Sequence, residues 1–174
     1  AVKIVEIIKK INKAVVLLGG PDDVERAEEI IYRVNSQQST DDRHRSQDSS
    51  SNSQILRFSD SQILNLVGKI NLEQSASIVK NADSVLTNDT GLMHIAAAFH
   101  KNIVSVWGNT VPELGMYPYL PKEKEKCHIV ECKDVKCRPC SKLGFKECPK
   151  KHFRCMMEID VEEVVKLLDN ELYS

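Results

Sequence analysis

The residues best equipped for chemistry stand close together in Asn88-Asp89-Thr90-Gly91-Leu92-Met93-His94. They bring an amide, a carboxylate, a hydroxyl, a glycine and an imidazole into one short stretch. Before them, residues 84–87 read as a short apolar strand, and after them residues 90–99 read as a helix opening at Thr90-Gly91. The first turn of a helix carries N–H groups without intrahelical partners and the positive end of the macrodipole, so it suits an anion such as a pyrophosphate. Gly91 lets a ligand come close to that backbone, and in an open α/β sheet such sites lie beyond the carboxyl ends of the strands. Helical periodicity puts Leu92, Ile95, Ala96 and Phe99 on one apolar face and Gly91, His94 and Ala98 on another that can line a cleft. Asp89 has two readings: an N-cap accepting from Gly91 or Leu92, or a carboxylate accepting from sugar hydroxyls, since a phosphate would repel it. His94 is either a satisfied structural histidine or a ligand contact.

The run Asn88-Asp89-Thr90-Gly91-Leu92-Met93-His94-Ile95-Ala96-Ala97-Ala98, followed by Ile103-Val104-Ser105-Val106-Trp107-Gly108-Asn109-Thr110-Val111-Pro112, resembles the signature of glycosyltransferase family 9. These are the ADP-heptose:lipopolysaccharide heptosyltransferases and their relatives. The resemblance extends upstream to Leu66-Val67-Gly68-Lys69 and Asn71-Leu72-Glu73, and downstream to the cysteine-rich residues 137–155. It implies an α/β fold, a Rossmann-like parallel sheet flanked by helices, as the carboxyl-terminal donor-binding half of a two-domain B-type glycosyltransferase. It further implies a nucleotide-diphospho-sugar donor, most closely ADP-heptose, inverting transfer to the lipopolysaccharide inner core, no metal and no other cofactor. No catalytic residue is expected in this chain: the general base belongs to an amino-terminal acceptor domain that this sequence does not contain. The donor site implied is Asp89, Thr90, Gly91, Leu92 and His94, joined by Thr110 on the sugar, Glu25 on the ribose hydroxyls and Ile70 on the adenine. Ile70 reads equally well as an ordinary core contact. Asn109 stands where relatives commonly have a proline, a departure from the pattern.

The elements that must position these residues follow in order. At 174 residues the chain suffices for one domain with a substantial core but is short for a complete two-domain transferase. It does not begin with Met and opens inside what reads as an amphipathic helix, so we expect a piece of a longer protein. A net charge of -1 carries no basic excess to suit nucleic acid. No run nears the length of a membrane span, and no signal peptide is visible, so a soluble cytoplasmic domain is expected. The resemblance allows a peripheral contact with the inner face of the inner membrane.

Residues 14–18 read as a strand ended by Gly19-Gly20-Pro21, with Asp22 capping a helix over 23–34. This turn matches neither a G-x-G-x-x-G loop nor a P-loop. Residues 35–54 contain no apolar side chain and read as a disordered polar insertion, with strand alternation returning at 55–58. A short run at 63–68 precedes a helix over 72–81 with Leu72, Ala76 and Val79 on its packing face. A strand is expected over 102–106, an ordered loop facing the acceptor domain over 112–121, and a helix over 161–172 capped by Asp160 and packed through Val164, Val165 and Leu168.

The six cysteines fall in residues 127–157, read as one cysteine-rich loop. Cys137 and Cys140, with Cys148 and Cys155, offer four sulfurs for zinc but lack a second tight pair, so reduced thiols in a packed loop are preferred over a metal site. No cysteine is paired in sequence with an activating base. Two alternatives of other classes stand beside the transferase domain: a non-catalytic nucleotide-binding remnant, and a zinc-stabilised interaction domain.

Overall fold

The computed structural model describes residues 2–11, 13–36, 63–145 and 147–169. They fall into two compact units, Ala1–Ile70 and Asn71–Ser174, each described by itself.

In the first unit, α1 (Val2–Lys10) packs beside α2 (Val24–Ser36), and β1 (Val15–Leu17) pairs in parallel with β2 (Ile63–Asn65). The apolar spacing of α1 explains the packing: Val5 and Ile8 lie one turn apart on its inner face and meet Val34 of α2, with Ile4, Val15, Ile30 and Ile63 around them. The ladder runs on past the strand ends, where the N–H of Leu66 donates to Leu17 O and that of Gly68 to Gly19 O, both at 3.1 Å. Gly68 has φ +68°, and a Cβ there would lie 2.7 Å from Val24 Cγ2, so both backbone and space require glycine.

The helix expected at Asp23 begins one residue later. A 3₁₀ turn over Pro21–Asp23 precedes α2, and it is Asp23, not Asp22, whose carboxylate turns back to accept from the Gly20 N–H at 3.2 Å. Asn35 and Ser36 complete α2 rather than opening the polar insertion. The rest of that insertion, and the strand expected at 55–58, lie outside the described residues.

In the second unit β3 (Ser84–Thr87), β4 (Asn102–Trp107) and β5 (Cys127–Glu131) form a parallel sheet in that order. α3 (Leu72–Asn81) is fixed at its start by reciprocal bonds, Asn71 Oδ1 accepting from Gln74 N at 2.8 Å and Gln74 Oε1 from Asn71 N at 3.0 Å. Its buried residues are Ser75 and Val79; Leu72, in the first turn, is two-thirds exposed and leaves the packing face expected for it. α4 (Gly91–Ala98) makes the crossover from β3 to β4. Every residue of β4 is buried, as a central strand covered on both faces must be, and Trp107 belongs to it rather than to the loop after it. The loop at 112–121 is ordered, with a 3₁₀ turn over Pro112–Leu114 ended by Gly115 in the left-handed region. A depression of about 400 Å³ lies against Tyr117, Tyr119, Leu120, Lys124 and Cys127.

β5 corrects the reading of residues 127–157 as a loop throughout, and α5 (Arg154–Met157) adds a single helical turn near its end. α6 (Val161–Asp169) is capped as expected: Asp160 Oδ1 accepts from the N–H groups of Glu162 at 2.9 Å and Glu163 at 3.3 Å. It packs through Val161, Val164, Leu167 and Leu168, with Val165 only half-buried. The Asn102 side chain donates to Leu167 O at 2.9 Å, tying α6 to the start of β4. Among the described residues no helix is long and apolar enough to cross a membrane.

His128, in β5, pairs through Nε2 with Asn102 Oδ1 at 3.1 Å, and burial lowers its pKa below the ordinary imidazole value. A base depressed in the folded state binds fewer protons there than in the unfolded chain, so stability is full above the ordinary value and falls as pH drops through it toward the folded value. His128→Gln is therefore expected to flatten the fall in melting midpoint between neutral and mildly acidic pH; an unchanged slope would refute it.

Candidate functional site

At the carboxyl end of β3 the chain makes the turn on which the sequence reading centred. Asn88 Nδ2 donates to Val106 O at 3.0 Å, holding the end of β3 against the end of β4. The Thr87 hydroxyl donates to Asn88 O at 2.9 Å and lies 3.1 Å from the Thr90 hydroxyl. The N-cap of α4 is Thr90, not Asp89, and no side chain caps the helix. The Met93 N–H donates to Thr90 O at 3.1 Å, which leaves the N–H groups of Gly91 and Leu92 for a ligand or solvent. A Cβ built on Gly91 meets nothing within 4 Å, so the space above this helix start is open.

The exposed face of α4 is the one expected, Gly91, His94 and Ala98. Its buried face is turned from the expected one: Met93, Ala96 and Ala97 are inside, while Leu92, Ile95 and Phe99 are only half-buried. Asp89 is half-buried beside the helix start. Thr110 is 8 % exposed. Glu25, exposed on α2, and Ile70, half-buried at the end of the first unit, stand in the other unit from these residues.

Sequence reasoning missed the group that organises the end of β4. Arg138, from the cysteine-rich segment, reaches the strand-end loop with its guanidinium almost wholly buried and paired with Glu131 at 2.8 Å. Its Nε donates to Gly108 O at 2.5 Å, its Nη1 to Cys132 O at 2.7 Å, and its Nη2 to Trp107 O and Thr110 O at 3.1 Å each. The Cys140 N–H takes the remaining carbonyl, that of Asn109, at 2.8 Å, and Asn109 Nδ2 donates to Phe145 O at 2.7 Å. The only sequence signal was an arginine between two cysteines, with nothing to show that its carbonyl partners at Trp107, Gly108 and Thr110 lay about thirty residues upstream.

All six cysteines are free thiols. Among the described residues no group of three or more His, Cys, Asp or Glu is arranged to hold a metal ion. Burial pushes the Cys140 and Cys155 thiols up, with neighbouring thiols adding to it, whereas the Phe153 N–H, donating at 3.4 Å, draws the Cys148 thiol down. One cysteine does meet a histidine: Cys137 Sγ lies 3.6 Å from His152 Nε2. Because His152 Nδ1 accepts from the Arg154 N–H at 3.1 Å, the neutral ring carries its proton on Nε2 and donates to the sulfur. In that tautomer the imidazole is no base for the thiol.

An open α/β fold with an uncapped helix start beside its strand ends is an arrangement that can accept an anion. The family model described as glycosyltransferase family 9 (heptosyltransferase) matches residues 2–150, and the chain belongs to that family. It is 31% identical over 116 residues to lipopolysaccharide heptosyltransferase 2 of Salmonella typhimurium, covering 67% of this chain and 26% of the relative. It is 29% identical over 119 residues to lipooligosaccharide heptosyltransferase 2 of Campylobacter jejuni, covering 68% and 35%. The chain thus spans about a third or less of these relatives' length. Among solved structures it resembles the Escherichia coli ADP-heptose lipopolysaccharide heptosyltransferase II, with TM-score 0.57 at 22% identity over 98% of this chain and 41% of the other. It also resembles a family 9 glycosyltransferase from Veillonella parvula, with TM-score 0.62 at 17% identity over 98% and 40%. The expected fold class is therefore the observed one: open α/β, with parallel sheets flanked by helices, the fold of the family 9 glycosyltransferases it resembles.

Proposed function

We propose that the chain is the donor-binding part of a glycosyltransferase that moves a sugar, most closely heptose from ADP-heptose, onto the lipopolysaccharide inner core. The observation that carries this reading is the uncapped, open start of α4 at the strand ends, within a chain of family 9. The amides of Thr90, Gly91 and Leu92 hold the diphosphate, His94 lies along the same exposed face, and the Asp89 carboxylate accepts from sugar hydroxyls. Thr110, 8 % exposed in the loop after β4, contributes to the sugar end of the donor site. The base that activates the acceptor hydroxyl comes from an amino-terminal domain, so the 174-residue chain binds donor without transferring sugar. The whole protein works in the cytoplasm, where nucleotide-sugars are found, and meets its lipid-linked acceptor at the inner face of the inner membrane.

Calorimetric titration of this chain with ADP, UDP and GDP tests the reading. Binding selective for ADP is the expected result. A preference for UDP would keep the diphosphate site and replace the donor, and binding of none would refute the donor-site reading. Sugar transfer by this chain alone would refute the division of labour between the two domains.

A further inference from the structure

The cysteine-rich segment has a job in the fold that its thiols do not explain. The last residue of β4, Trp107, and the loop residues Gly108, Asn109 and Thr110 after it give all four of their carbonyls to that segment: three to the Arg138 guanidinium and one to the Cys140 N–H. A loop of this kind would otherwise have its carbonyls in water or turned on itself. Here one planar fork, itself charge-paired with Glu131 and donating to Cys132 O, collects the ends of β4 and β5 in a single group. The contact is tight from other sides too: a Cβ on Gly108 would lie 2.6 Å from Met156 Sδ, and one on Gly144 would lie 2.7 Å from Asn109 Oδ1. This stretch begins one residue after Val106, whose carbonyl is bound by Asn88 from the turn that leads into α4.

We infer that Arg138 is a positioning residue, which fixes the loop over residues 107–110 and, through it, the turn at Asn88 beneath the donor-binding helix start. The inference rests on the donor-site reading. It assigns the cysteine-rich segment the role of a brace, with the backbone carbonyls of the loop as its cargo and no part in the chemistry. A lysine at this position keeps the charge for Glu131 but, as a point donor, cannot span carbonyls of Trp107, Gly108 and Thr110 together.

The test uses Arg138→Lys and the charge-balanced pair Arg138→Met with Glu131→Gln, which avoids stranding a buried carboxylate. Hydrogen exchange at the amides of residues 107–111 is expected to quicken in both, while exchange within β3 and the interior of β4 keeps its wild-type protection. ADP affinity is expected to fall about tenfold, the equivalent of one or two hydrogen bonds. Both are then measured in sucrose sufficient to restore the wild-type melting midpoint, because osmolytes strengthen burial generally. If Arg138 positions the loop, affinity stays low in sucrose; recovery to the wild-type value would make it a stabilising residue only and overturn the inference. Unchanged exchange at 107–111 would overturn it as well. Failure of the wild-type chain to bind any nucleotide would instead refute the donor-site reading, and the exchange result would still judge the loop.

Discussion

Gly91→Val is expected to cost this chain at least a hundredfold in ADP affinity while leaving its fold intact. The two halves of that statement have separate grounds. Gly91 is the first residue of α4 and has no positive φ, so a side chain is tolerated by the backbone. Its Cβ would meet nothing within 4 Å, so a side chain is tolerated by the packing. Helix propensity moves by only a few tenths of a kcal/mol between Gly and Val, roughly enough to shift a midpoint by a degree or two. The open space that makes the substitution harmless to the fold is the space a diphosphate must enter to reach the N–H groups of the first turn. Two valine methyls there hold the anion away from donors worth about 1.5–3 kcal/mol each when the acceptor is charged, and losing two of them gives the hundredfold. Gly91→Ala should lie between. Calorimetry together with a melting curve decides: a folded Val variant that binds ADP as the wild type does would remove the helix start from the site.

The part of the site built from contiguous sequence was legible because its determinants are local. An apolar run, a polar turn and a small-residue helix specify β3, the Asn88–Thr90 turn and α4, and the exposed face of that helix follows from its period. The ends of α3 and the Asp160 cap of α6 were readable for the same reason, since a capping side chain binds within three residues of itself. The buried face of α4 was not. Met93 and Ala97 are covered by neighbours the sequence does not name, whereas Leu92 and Ile95, equally apolar, are half-exposed. The start of α2 was displaced by a residue because Pro21 begins a 3₁₀ turn first, moving the useful carboxylate from Asp22 to Asp23. β5 was hidden by its position at one side of the sheet, where Cys127-His128-Ile129-Val130-Glu131 need bury only Val130 fully. Arg138 was invisible for the deepest reason: carbonyl acceptors are the same at every position, so nothing in Trp107-Gly108-Asn109-Thr110 announces that an arginine will bind them.

Trp107→Ala is expected to be the most destabilising single truncation in the second unit, by roughly 3–5 kcal/mol. Trp107 heads the fully buried side chains, at 1 % exposed, and closes β4 where strand passes into loop. Its indole N–H donates to the Ser105 hydroxyl at 3.1 Å, and that hydroxyl donates onward to His128 O at 3.0 Å, so the ring is held by polar contacts as well as by packing. Removing it opens a cavity next to the central strand. Against a total stability of about 5–15 kcal/mol, such a loss puts folding itself at risk. Trp107→Phe separates the two contributions: it refills most of the volume and lacks the N–H, so it should cost only about 1–2 kcal/mol. Because Trp107 is the chain's one tryptophan, wild-type unfolding can be followed by its fluorescence, but both variants must be followed by circular dichroism in urea. A midpoint for Trp107→Ala near that of the wild type would mean that the end of β4 is loosely packed. That result would weaken the donor-site reading too, because the Trp107 carbonyl is one of the four that Arg138 grips. A loop can hold its carbonyls in a fixed pattern for a ligand's sake only if the strand beneath it does not move.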